Sequence, residues 1–169
     1  MWYLVAYSRR RFVCAASGYR LQLPGTRPSR SIDTRYARWH ESLETGDQQV
    51  DAQHRALYEL VNDLNASAVL GEGQQSETDA LQRIVQYAST HFGTEEALME
   101  RYSYPGFNEH KSVHTDFAGT AQSMLWEHAA GKGPSIRELA EFMEGWLAEH
   151  IANFDQPMVE HIRSCRLRD

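Results

Sequence analysis

The chain has 169 residues, 41% of them hydrophobic, and a formal net charge of −6. That is enough for one compact domain with a real core and too little for two. No stretch approaches the roughly 18 to 20 consecutive apolar residues of a membrane span, so membrane insertion is not expected. The two cysteines, Cys14 and Cys165, form neither a CxxC pair nor a disulfide framework, which points to a reducing cytoplasm.

The charge is unevenly spread. Residues 1–38 hold eight arginines against one acid, Asp33, for +7, and the remainder sums to −13. This basic segment is expected to be an N-terminal extension, poorly ordered or packed on the acidic body, because it is rich in Pro, Gly, Ser and Arg. Ser8-Arg9-Arg10-Arg11-Phe12-Val13 resembles a twin-arginine export signature, but the apolar run of about 7 to 15 residues that should follow is missing. Neither export nor nucleic-acid contact is expected of it, and residues 39–169 are read as the domain.

From about Asp51 the pattern becomes helical, with apolar or ligand-type residues every three and four positions. The first segment carries His54, Leu57, Val61, Leu64 and Ala68 on one stripe, with Asp51 as its cap and Gly71 and Gly73 as its end. The second opens on Ser76-Glu77-Thr78-Asp79, read as a capping box, and runs through Leu81, Ile84, Ala88, His91, Phe92, Glu95 and Met99 to Pro105-Gly106. The third, from about Asn108, holds His110, Val113, His114, Phe117, Ala121 and Leu125, and breaks at Gly131 and Gly133. The fourth starts near Ser135, where Ser135 and Glu138 fit a capping box, and carries Leu139, Met143, Trp146, Leu147, His150 and Ile151. Four amphipathic helices of roughly 20 residues with short Gly/Pro turns predict an all-α, antiparallel up-down-up-down four-helix bundle.

In such a bundle the starts of helices one and three lie beside the ends of helices two and four. His54 is early in the first, His91 and Glu95 late in the second, His110 and His114 early in the third, and His150 and Asp155 at the end of the fourth. All seven should converge at one pole. His91 with Glu95 and His110 with His114 are i,i+4 pairs and face the same way, while Asp155 is expected to swing inward from a frayed turn past the helix end. These residues stand on stripe positions that should be apolar, where burial without a partner is costly and a metal removes the cost. His40, His128 and His161 lack this agreement and are read as structural or solvent-facing.

Five imidazoles and two carboxylates are the ligand set of a two-metal centre. If both carboxylates bridge, one metal has three histidines and the other two, and with one further bridging oxygen the second is a ligand short of octahedral. The donor types suit iron, zinc, copper or manganese, and the absence of cysteine argues against structural zinc. Leu57, Phe92, Trp146, Leu147 and Ile151 lie within one turn of His54, His91 or His150, predicting an apolar pocket for a small neutral ligand. Tyr58 and Tyr87 are the nearest polar candidates.

These residues resemble the hemerythrin family, in its bacterial single-domain branch, from roughly Trp39 to Met158. The resemblance rests on Trp39, Gly46, Val50-Asp51-Ala52-Gln53-His54, His91-Phe92-Gly93-Thr94-Glu95, the His110–His114 pair and Trp146-Leu147-Ala148-Glu149-His150-Ile151 leading to Asp155. It implies a four-helix bundle around two non-haem Fe ions joined by carboxylate and oxo or hydroxo bridges. By the same resemblance His110, His114 and His150 hold the saturated iron, His54 and His91 the open one, and Glu95 and Asp155 bridge. The implied function is reversible dioxygen binding for carriage, storage, sensing or supply to an oxygen-consuming enzyme. A di-iron enzyme acting on O2, peroxide or NO is the alternative. Oxygen-activating bundles favour carboxylate-rich sites, so this histidine-rich set favours a binding protein over an enzyme. No fused signalling module is legible, which lowers the expectation of a chemotaxis-type sensor, and a monomer is the default expectation.

Overall fold

The computed structural model describes residues 37–168. The arginine-rich segment, its export-like motif and Cys14 lie outside the described residues. Helix α1 spans Gln48–Leu70, α2 Gln74–Arg101, α3 Phe107–Ala129 and α4 Ile136–His150, followed by a π-helical turn at Ile151–Asp155 and α5 at Gln156–Arg166. There is no strand among the described residues, and none of their helices is long and apolar enough to cross a membrane. The predicted four-helix bundle is what forms: α1 packs on α2 and α4, and α2 on α3. The rings of Phe117 and Trp146, stacked 3.9 Å apart, close α3 onto α4.

Side-chain caps start α1 and α4 but not α2 or α3, and two of the starts depart from expectation. Asp47, not Asp51, caps α1, its carboxylate accepting the backbone N–H groups of Gln49 and Val50. Asp51 instead pins the incoming chain, accepting from the Thr45 backbone and hydroxyl, both at 2.8 Å, and from the Gly46 backbone at 3.1 Å. Gly46 turns there at φ +89°, where a side chain would be strained. The Ser76 box does not form: α2 starts two residues earlier, and the Ser76 hydroxyl donates to Glu72. The box at Ser135 and Glu138 does form, reciprocally. Gly71 ends α1 in the left-handed conformation at φ +67°, and α2 stops at Arg101, four residues before Pro105.

The interior is layered. The larger apolar core, including Leu64, Leu81, Ile84, Leu139 and Met143, fills the bundle towards the far pole. A second core of Val50, Met99, Met158, Val159 and Ile162 seats α5 against the opposite pole. The sequence pattern did not predict α5, because the π turn shifts its apolar stripe out of register with α4. Arg166 of α5 reaches Asp47 at 3.2 Å and Tyr102 at 3.1 Å, tying the chain's last helix to the start of α1.

Candidate metal centre

Between the two cores the four main helices and the π turn bring all seven predicted side chains together, each 0–2% exposed. His54 comes from α1, His91 and Glu95 from α2, His110 and His114 from α3, and His150 from the last residue of α4. Asp155 arrives differently from expectation. In a regular α-helix residue i+5 points about 140° away from residue i. The π turn, closed by the Gln156 N–H on the Ile151 carbonyl, brings Asp155 back over His150 without ending the helix. The carboxylate is thus fixed by continuous helix rather than carried on a frayed end.

The donor atoms divide into two overlapping groups: Glu95, His110, His114, His150 and Asp155, and then His54, His91, Glu95 and Asp155. All five imidazoles present Nε2. Asp155 Oδ1 lies 3.1 Å from both His110 and His150, while its Oδ2 lies 3.0 Å from His54. Glu95 Oε2 is 3.2 Å from His114, and its Oε1 is 3.4 Å from His91. Each carboxylate therefore turns one oxygen to each group.

The fit to metal ions rests on what these atoms lack. His54 Nε2, His91 Nε2 and all four carboxylate oxygens of Glu95 and Asp155 are buried without a hydrogen-bond partner. Such orphans cost about 1–3 kcal/mol each, more when charged. In the larger group the His150 Nε2 stands 3.1 Å from both the His110 and His114 Nε2 atoms. Lone pairs at that distance repel unless a cation sits among them. Donors held at about 2.1 Å around an octahedral ion sit about 3.0 Å from their neighbours, which matches these separations.

Without metal, protons take the cation's part. Burial lowers the basicity of His54 and His150, but Asp155 and Glu95 outweigh it and push both up to about 9. Burial dominates at His91 and brings it down to about 4. Burial would raise the Glu95 and Asp155 carboxyls, yet the surrounding imidazoles hold both below the usual range. Metal entry must displace the imidazolium protons.

The outward ring nitrogens receive unequal support. The Thr94 hydroxyl donates to the Thr90 carbonyl and accepts the Gln53 amide N–H at 3.1 Å, which turns Gln53 Oε1 to His91 Nδ1 at 3.2 Å. Nδ1 of His91 is then the donor, and its Nε2 lone pair faces the cluster. Behind His114, Nδ1 faces Glu96 Oε1 at 3.5 Å, and Lys111 Nζ sits 2.7 Å from the other Glu96 oxygen. Nothing in the helical stripe marked Gln53, Glu96 or Lys111, which occupy outward positions. The adjacency of Glu96 to Glu95 and of Lys111 to His110 was the only available signal.

An apolar cavity borders the cluster, lined by Leu57, Phe92, Trp146 and Leu147 together with Val61, Ile84, Ala88, Phe117 and Met143. It has room for a molecule of about the size of water. Ile151 is buried in the same core but does not line it. Phe92 stacks on His114 at 4.0 Å, and Trp146 and Phe154 stack on His150 at 4.4 and 5.4 Å, so the aromatic wall lies mainly against the three-histidine group. The two tyrosine candidates point elsewhere: Tyr58 packs edge-on against Trp39, and Tyr87 lines an outer groove with Leu60, Arg83, Gln86 and Thr90. His40 is exposed, His128 meets Glu77 at 3.4 Å, and His161 meets the Tyr102 carbonyl at 3.1 Å, all apart from the cluster.

Residues 45–162 match the hemerythrin HHE cation-binding domain model. The chain is 31% identical over 125 residues to a bacteriohemerythrin of Pseudomonas aeruginosa, covering 74% of this chain and 80% of that one. It is 28% identical over 117 residues to the myohemerythrin of Theromyzon tessulatum, covering 69% and 86%. A wild-type hemerythrin crystal structure superposes with a TM-score of 0.60 at 27% identity, covering 64% of this chain and 82% of that one.

Proposed function

This chain belongs to the hemerythrin family, and on that premise we propose that it binds dioxygen reversibly at a non-haem di-iron centre. In this reading His110, His114 and His150 hold one iron, His54 and His91 the other, and Glu95 and Asp155 bridge them. The observation that carries the proposal is the split of each carboxylate, one oxygen to each histidine group. Glu95, His110, His114, His150 and Asp155 would hold one ion and His54, His91, Glu95 and Asp155 the other, so the second ion would have one protein donor fewer and room for a small ligand. Bound ferrous iron would supply the electrons that a neutral diatomic needs in order to bind tightly. The chain's own part is to orient the imidazoles through Gln53 and Glu96, to keep the site buried, and to offer an apolar cavity.

A binding role, in carriage, storage or supply, is favoured over catalysis because the cavity walls carry no acid or base to steer further chemistry. A cytoplasmic setting is part of the proposal. The test is to load the protein anaerobically with ferrous iron, admit O2, and cycle between vacuum and air while following the charge-transfer absorption. A band that appears and disappears over repeated cycles is the expected result. Irreversible bleaching with consumption of peroxide or NO would overturn the binding role in favour of an enzyme.

A further inference from the structure

The two histidine groups are supported by different chemistry. Behind His91 stands a neutral amide, Gln53, held in place by Thr94. Behind His114 stands a carboxylate, Glu96, whose second oxygen is bound by Lys111 at 2.7 Å. Both reach through Nδ1, so both leave Nε2 facing the cluster, but they differ in charge. A carboxylate accepting from Nδ1–H makes the imidazole a stronger donor at Nε2, and a charged acceptor does so more than a neutral one. The Glu96–His114 separation of 3.5 Å is longer than an ordinary N–H···O hydrogen bond, so the carboxylate acts on the ring largely through its charge. Lys111, about half exposed and seated over the Phe107 ring, draws charge from the same carboxylate and opposes its effect.

Consecutive positions build this device. Glu96 follows Glu95 on α2 and so faces α3 at the cluster's edge, and Lys111 follows His110 on α3. Resting on the di-iron reading above, we infer that the Glu96–Lys111 pair sets the redox poise of the three-histidine iron, with Glu96 favouring the ferric state and Lys111 moderating it. Both are positioning residues that act through His114.

The prediction has a sign that packing alone does not produce. Glu96→Gln keeps shape and weakens donation, so the midpoint potential of the iron-loaded protein should rise, by about 59 mV if the ferric-to-ferrous balance changes tenfold. Lys111→Gln leaves the carboxylate unopposed, and the potential should fall by a smaller amount because Lys111 is partly solvated. Both side chains are outside the core, so both variants should keep the wild-type helix content. The readouts are spectroelectrochemical titration and ferrous-iron affinity by chelator competition, beside wild type. A rise for Glu96→Gln with a fall for Lys111→Gln supports the inference, and the reverse pair of shifts overturns it. Unmoved potentials, or two shifts of the same sign, with a wild type that loads two irons, overturn it alone. A wild type that takes up no iron overturns both it and the di-iron reading.

Discussion

His54→Ala is expected to abolish dioxygen binding and leave the bundle folded. The side chain is fully buried among polar groups of the cluster, and neither ring nitrogen has a hydrogen-bond partner, so its removal leaves both apolar cores that hold the helices together intact. What remains of its group is His91, Glu95 and Asp155, three donors in place of four. Loss of an outer hydrogen-bond partner already weakens metal sites by about 10- to 100-fold, and loss of a direct donor should exceed that. The three-histidine group keeps all five of its donors and should still take up iron. His128→Ala is the matched control, because that ring meets Glu77 and no member of the cluster. Ferrous-iron titration with oxygen-binding spectra on both variants checks the expectation, and equal losses in the two would contradict the site assignment.

Metal removal should have the largest effect on stability. Six inward-facing atoms, namely His54 Nε2, His91 Nε2 and both oxygens of Glu95 and of Asp155, are buried and unpartnered. The metal-free protein therefore carries a penalty that the loaded protein escapes. Iron at about 1,000 times its dissociation constant adds about 4 kcal/mol per site when the unfolded chain binds it poorly. For a domain of this size each kcal/mol moves Tm by about 2–4 °C, so loading should raise Tm by about 10 °C or more. Calorimetry of the loaded protein with and without a strong chelator measures it. A shift under about 2 °C would mean that the cluster is stable without metal.

The parts of this architecture that are periodic in sequence could be read from it. His91 with Glu95 and His110 with His114 follow the α-helical four-residue step, so their convergence was visible before any coordinates were. Asp155 breaks the step, and its placement depends on a π turn that no residue pattern in Ile151–Asp155 announces. The same extra residue hid α5, whose stripe of Met158, Val159 and Ile162 is sound by itself but out of phase with α4. Capping was ambiguous where two acids compete: Asp47 and Asp51 both suit an N-terminus, and only the long-range demand of Thr45 and Gly46 assigns Asp51 elsewhere. Of the residues behind the cluster, Gln53 stood in the family-like segment ending at His54 without an assigned role, and Glu96 and Lys111 were invisible because outward polar positions on a helix are ordinarily solvent.

The central claim is that seven side chains make one site for two metals, and the iron content of the loaded protein tests it most directly. After anaerobic loading with ferrous iron and removal of excess, elemental analysis against protein concentration should give two irons per chain. One iron per chain, or none, would contradict it.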